Sequence, residues 1–212
     1  MRLQRERELV VEYSQRMVAE QLTVGTSGNV SCRADELIAI TPGGVDYAEL
    51  DAGAICVLNL DGEQVEGDLE PSSEVPMHTA VYKARETAAV VHTHPLYTTT
   101  VSVLRDELPA VHYMLALLGG AVRVTPYETY GTQALAESSV RGLEGRTGVI
   151  LGNHGATTIG GSLHEAFMRS LYLEWAARLW CEAAALGQPR VLDGQEIAKV
   201  AEKLRSYGQS RD

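Results

Sequence analysis

Cysteine is the first shortage. Cys32, Cys56 and Cys181 are the whole complement, scattered and without a CxxC pair, which excludes a disulfide framework. A reducing compartment, the cytoplasm, is therefore expected. Lysine is nearly as scarce: Lys83, Lys199 and Lys203 all fall in polar, helical patterns. A Schiff-base mechanism needs a desolvated lysine in a pocket, and none is in sight. No basic run occurs, and the formal net charge of -10 argues against a nucleic-acid surface. No apolar stretch approaches the roughly 20 residues of a membrane helix, and the charged N-terminus does not read as a signal peptide. Linkers rich in Pro, Gly or Ser, internal repeats and low-complexity segments are missing too. GxxxxGK[ST] is absent, which excludes a nucleotide P-loop, and no GxGxxG follows a strand, which argues against a dinucleotide cofactor.

What is there suits one globular domain: 212 residues, 45% of them hydrophobic. Leu9, Val10, Tyr13, Met17 and Val18 recur at helical spacing. Strands are predicted over 30–33 and 37–40, and a hairpin over 55–60 and 63–66 turns on Asp61-Gly62. Helices are predicted over 77–85, behind Ser72 and Ser73 as candidate caps, over 96–104, over 112–118 closed by Gly119-Gly120, and over 133–142. Further strands are expected over 89–92, 121–125 and 147–151. Ser162 and Glu165 form a capping box before a helix that runs to about Leu186, and 195–207 is helical in pattern. Strands interleaved with helices imply a single α/β domain over 1–212, its sheet mixed because a hairpin is present.

The strongest chemical signal is Val90-Val91-His92-Thr93-His94-Pro95, taken with Gly152-Asn153-His154-Gly155. Strand side chains repeat every second residue, so His-x-His puts two imidazoles on one face. His154, just past the apolar run 149–151, completes a three-nitrogen set. Three protein ligands leave a coordination position open, which marks catalytic zinc. A lone histidine is ordinarily a hydrogen-bonded core or surface residue. His78, His112 and His164 fit that plainer reading, although His78 lies one helical turn beyond Glu74 and within reach of the same site. Glu74, at a helix start, would by itself be a carboxylate favoured by the macrodipole. Beside a metal it becomes the candidate general base. The turns Gly25-Thr26-Ser27-Gly28-Asn29, Thr41-Pro42-Gly43-Gly44 and Ser72-Ser73 are each unremarkable alone, and together they could cradle a phosphate on backbone N–H groups and short donors.

In this order these segments resemble the class II aldolase and adducin family, nearest to its members that cleave L-fuculose 1-phosphate. The likeness extends through His112-Tyr113-Met114, Tyr130-Gly131-Thr132 and Ser206-Tyr207-Gly208. It implies a three-layer α/β/α domain around a central, largely antiparallel sheet, assembled as a homotetramer with sites between subunits. It implies one zinc ion on His92, His94 and His154, with Glu74 as catalytic carboxylate and additional ligand. Thr26, Gly28, Asn29, Gly44, Ser72 and Ser73 would hold the substrate phosphate, and Tyr113 and Tyr207 would reach a neighbour's site. The family's usual Thr-Pro-Ser-Gly turn reads Thr41-Pro42-Gly43-Gly44 here, so one hydroxyl is lost and the N–H of Gly43 is expected to stand in. The implied reaction cleaves a ketose 1-phosphate to dihydroxyacetone phosphate and a short aldehyde such as L-lactaldehyde. A methylthioribulose-phosphate dehydratase and a ribulose-phosphate 4-epimerase share the fold. The epimerase uses extra residues in a longer C-terminal segment, not found here. A non-catalytic adducin-like module is expected to have lost the histidines.

Overall fold

The computed structural model describes residues 1–206, so Tyr207 lies outside the described residues. Helix α1 (Gln4–Ala19) leads into strands β1 (Asn29–Ala34), β2 (Leu37–Ile40), β3 (Cys56–Asn59) and β4 (Gln64–Glu66). Then come α2 (Val75–Ala84), β5 (Ala89–Thr93), α3 (Leu96–Ser102), β6 (Glu107–Leu108) and β7 (Val122–Thr125). The described residues end with α4 (Gln133–Gly142), β8 (Gly148–Leu151), β9 (Gly155–Gly160), α5 (Leu163–Leu186) and α6 (Gly194–Arg205). The strands form one sheet in the order β4-β3-β2-β1-β5-β9-β8-β7-β6. Among the described residues only β7 and β8 pair in parallel, so the sheet is mixed and largely antiparallel.

Strand β5 shows why helices cover both faces. Ala89 and Val91 point to Val10, Tyr13 and Met17 of α1 and Phe167 of α5. Val90, between them, points to Met77 and Val81 of α2 and Leu135 of α4. A strand buried on both sides reads as a continuous apolar run, because alternate residues serve opposite cores. Strand β8 repeats the arrangement, with Val149 and Leu151 toward α2 and α4 and Ile150 toward Val101 of α3 and Leu173 of α5. Each such side chain contributes about 1.5–3 kcal/mol through burial.

Four local features differ from the sequence expectations. Strand β9 was not foreseen, because Gly155-Ala156-Thr157-Thr158-Ile159-Gly160 is too polar and too rich in glycine to read as a strand. Its buried hydroxyls have partners, Thr158 Oγ1 donating to Ala166 O at 2.8 Å and meeting Ser170 Oγ at 2.6 Å. The two-residue β6 was also not foreseen. The predicted helix over 112–118 is a 3₁₀ segment, Tyr113–Leu118, whose start is capped by His112 Nδ1 accepting from Met114 N–H. Finally, α2 has Glu74 at its N-cap position, and Ser72 Oγ accepts the N–H of Glu74 rather than capping the helix itself. No described helix is long and apolar enough to cross a membrane.

Candidate metal centre

Sheet register brings the predicted ligands together. His92 of β5 lies opposite Asn29 of β1 and, on its other side, Thr157 of β9. His94 follows the end of β5. His154 sits in the tight β8–β9 connection, after Asn153 in the left-handed conformation (φ 52°). Gly155 permits this approach, since a Cβ there would lie 2.2 Å from the carbonyl oxygen of Thr93. The three imidazoles meet edge to face, with ring centroids 4.7–4.9 Å apart. Glu74 reaches them from the N-cap position of α2 and makes no helix-capping hydrogen bond.

His92 Nδ1 donates to the carbonyl of Ala156 at 3.0 Å, so its Nε2 carries a lone pair into the site. That lone pair faces His94 Nε2 at 2.8 Å and Glu74 Oε2 at 2.9 Å. His154 Nε2 lies 3.6 Å from Glu74 Oε1, a buried oxygen with no hydrogen-bond partner. Converging acceptors repel one another unless a cation sits among them, and a single proton cannot serve all four. The four donor atoms lie within 4.8 Å of one another. Tetrahedral coordination at ~2.0–2.1 Å spaces donors ~3.3 Å apart, between the contacts found here. The residues fit a divalent ion.

Burial opposes ionisation of Glu74, but positive charge at the His92 and His154 nitrogens, whether a proton or a metal ion, together with the Asn29 hydrogen bond outweighs it and holds the carboxyl well below its usual range. Burial, then the neighbouring His92 and His154, push His94 down to about 3; burial and His92 push His154 down to about 4. Both rings are thus neutral when folded and would take up protons on unfolding below their ordinary 6.5. The unfolded chain then binds more protons, so stability should fall as pH drops from about 6.5 toward about 3. Glu74 acts in the same sense below its ordinary 4.5. The melting temperature of the metal-free protein is expected to decline steadily over that interval, and a flat profile would contradict neutral, buried imidazoles.

A cavity of about 350 Å³ opens above this cluster, within the range of small-molecule sites. All seven residues expected to hold a phosphate line it: Thr26, Gly28 and Asn29, Gly43 and Gly44, Ser72 and Ser73. Among the described residues no lysine or arginine does, so the wall offers N–H groups and hydroxyls. Gly28 (φ 78°) has no room for a side chain, because a Cβ would stand 2.8 Å from the carbonyl oxygen of His92. Two expectations need correcting in detail. The N–H of Gly43 is already donated to Glu70 O at 3.0 Å, so it does not replace the missing hydroxyl. The Asn29 carboxamide is engaged at both ends, by Glu74 and His78.

Tyr113 is not brought to the metal cluster within one chain. It is 49% exposed and lines a separate groove with Tyr172 and Trp175. The opposite cavity wall was not foreseen: Tyr127, Glu128 and Tyr130 come from the 126–131 loop, and Asn153 precedes His154. That loop has neither apolar periodicity nor ligand spacing. Only Tyr130-Gly131-Thr132 stood out, and there Gly131 (φ 73°) lets the loop approach Ser73.

Residues 8–181 match the model of the Class II Aldolase and Adducin N-terminal domain. The chain is 41% identical over 212 residues to the 5-deoxy-D-ribulose 1-phosphate aldolase of Bacillus thuringiensis, covering 99% of this chain and 100% of that one. It is 39% identical over 190 residues to the L-fuculose phosphate aldolase of Escherichia coli K12, covering 88% of each. A solved L-fuculose 1-phosphate aldolase superposes with a TM-score of 0.92 at 39% identity, over 95% of this chain and 96% of that one. With a family match over most of its length and named aldolases as relatives, the chain belongs to the class II aldolase and adducin family and is an aldolase-type, metal-dependent enzyme.

Proposed function

We propose that the chain cleaves a deoxyketose 1-phosphate by a retro-aldol reaction, releasing dihydroxyacetone phosphate and a short aldehyde. The observation that carries this reading is one cavity with a His₃Glu cluster at its base and a ring of small donors on its wall. L-Fuculose 1-phosphate would give L-lactaldehyde, and 5-deoxyribulose 1-phosphate, named for the 41% identical relative, would give acetaldehyde. Both substrates present the same phosphorylated three-carbon end to the donors.

Imidazole nitrogens and a carboxylate suit Zn²⁺, held by His92, His94 and His154 with Glu74 beside them. When bound, the ion supplies Lewis-acid chemistry, drawing electron density from the ketose carbonyl. Glu74, ionised and one oxygen short of a partner, carries the carbon-bound proton. It takes that proton from dihydroxyacetone phosphate in the condensation direction and returns it in cleavage. Thr26, Ser72 and Ser73, with the glycine N–H groups, orient the phosphate and hold the reacting carbon against Glu74.

A panel of L-fuculose 1-phosphate, 5-deoxyribulose 1-phosphate, 5-methylthioribulose 1-phosphate and ribulose 5-phosphate tests the reading. Release of dihydroxyacetone phosphate from one of the first two supports it. Water loss or epimerisation without that product would favour the dehydratase or the epimerase instead.

A homo-oligomer, a tetramer by the family likeness, gives Tyr113 its use: exposed on its own chain, it would exchange a proton with the aldehyde oxygen at a neighbour's site. Tyr207 would join it. Light scattering should give a tetramer mass, and Tyr113→Phe should lower turnover while leaving dihydroxyacetone phosphate binding intact. A fully active monomer would end this part of the proposal.

A further inference from the structure

Two periodicities interlock beneath Glu74. Glu74, His78 and Tyr82 repeat every fourth residue along one face of α2, and Asn29 and Ser31 repeat every second along one face of β1. Their side chains form one hydrogen-bonded line. Asn29 Nδ2 lies 2.9 Å from Glu74 Oε2, and Asn29 Oδ1 lies 2.5 Å from His78 Nε2. His78 Nδ1 lies 2.6 Å from Ser31 Oγ, which lies 2.8 Å from the hydroxyl of Tyr82. All five residues are buried, and His78 and Ser31 are wholly inaccessible.

Chemistry allows this line one direction. An ionised carboxylate only accepts, so Asn29 must turn its amide nitrogen to Glu74 and its oxygen to His78. That oxygen only accepts, so His78 carries its proton on Nε2. The ring is wholly buried with the Asn29 oxygen on one side and a hydroxyl on the other, so a neutral imidazole protonated on Nε2 presents Nδ1 as an acceptor. Ser31 must then donate to His78 and accept from Tyr82. Every donor points toward Glu74, and reversing any one bond leaves a buried group unpaired.

We propose that His78 is a positioning residue for the proton-transfer carboxylate, acting through Asn29. Its Nε2–H locks the carboxamide so that Nδ2 ties down Oε2 of Glu74 and leaves Oε1 as the oxygen free for chemistry. Ser31 and Tyr82 select the tautomer that makes this possible. The sequence signature is Glu-x₃-His-x₃-Tyr on the helix, facing Asn-x-Ser on the strand. This role rests on the reading of Glu74 as the proton carrier.

Three variants and one spectrum test it. His78→Gln keeps a donor where Nε2 was, His78→Asn reaches only Ser31, and His78→Phe keeps the volume alone. In zinc-loaded protein, Phe and Asn should lower kcat by roughly 10–100-fold with little change in KM, and Gln should recover most of the loss. In parallel, ¹⁵N spectra of the wild type, with His78 assigned by the signal lost in His78→Gln, should show a protonated Nε2 and an unprotonated Nδ1. Equal turnover of the folded Gln and Phe variants, or a proton found on Nδ1, overturns the proposal, and the spectrum decides even if His78→Phe fails to fold. Normal turnover in Glu74→Gln with the Nε2–H tautomer intact would instead remove the catalytic reading and leave the wiring standing.

Discussion

Glu74→Gln is expected to lower turnover by roughly 10²–10⁴-fold, the range for loss of a positioned general base. The change is nearly isosteric and keeps a carbonyl oxygen for Asn29 Nδ2, so the fold should survive. What it removes is the negative charge and the ability to hold a proton. The competing reading, a helix-start carboxylate stabilised by the dipole, would cost under about 1 kcal/mol of stability and almost no activity. The geometry supports the first reading: Glu74 is 5% exposed, caps no helix N–H, and sits 2.9 Å from His92 Nε2. A second readout isolates the step. Exchange of the carbon-bound hydrogen of dihydroxyacetone phosphate with solvent deuterium needs no aldehyde, and it should fall in parallel with cleavage. Near-normal exchange in a well-folded Gln variant would show that another group moves the proton.

Removal of the metal should abolish activity by about 10³-fold or more, since Lewis-acid polarisation of a carbonyl contributes several kcal/mol to the barrier. Readdition of Zn²⁺ should restore it. The stripped protein should also melt at a lower temperature, because three imidazole lone pairs and an unpartnered carboxylate oxygen then face one another. His94→Ala should reproduce the defect in zinc affinity without the pH-dependent part contributed by that ring. Undiminished turnover after exhaustive chelation, with metal analysis confirming its loss, would defeat the metal reading for this chain.

Much of the site was legible in order but not in depth. His92, His94 and His154 announce themselves because each closes or follows a buried apolar run, and ligand spacing survives translation into strands. The three turns announce themselves because glycine beside small hydroxyl residues has few other uses so often repeated. Strand β9 hid because its residues are small and hydroxylic. A strand hydrogen-bonded on both sides under helix α5 needs little apolar surface of its own, and Thr158 finds its partners in that helix. The 126–131 wall hid because its place over the cavity depends on contacts with Ser73 and Gly152, far apart in the chain.

By itself the sequence determined most of the alternation of elements, the candidate site residues, and the chemistry their types allow. These follow from local spacing, which a strand or helix carries unchanged into the fold. Only the tertiary structure decided what each residue has left to offer. It committed the N–H of Gly43 to Glu70 and both ends of Asn29 to Glu74 and His78, and it left Oε1 of Glu74 without a partner. It also turned His78 from a plain helical residue into the anchor of a directed hydrogen-bond line. The reason is that a hydrogen bond is an exclusive commitment between groups distant in sequence. Residue type states how many such bonds a group can make, and the fold alone states which are already taken.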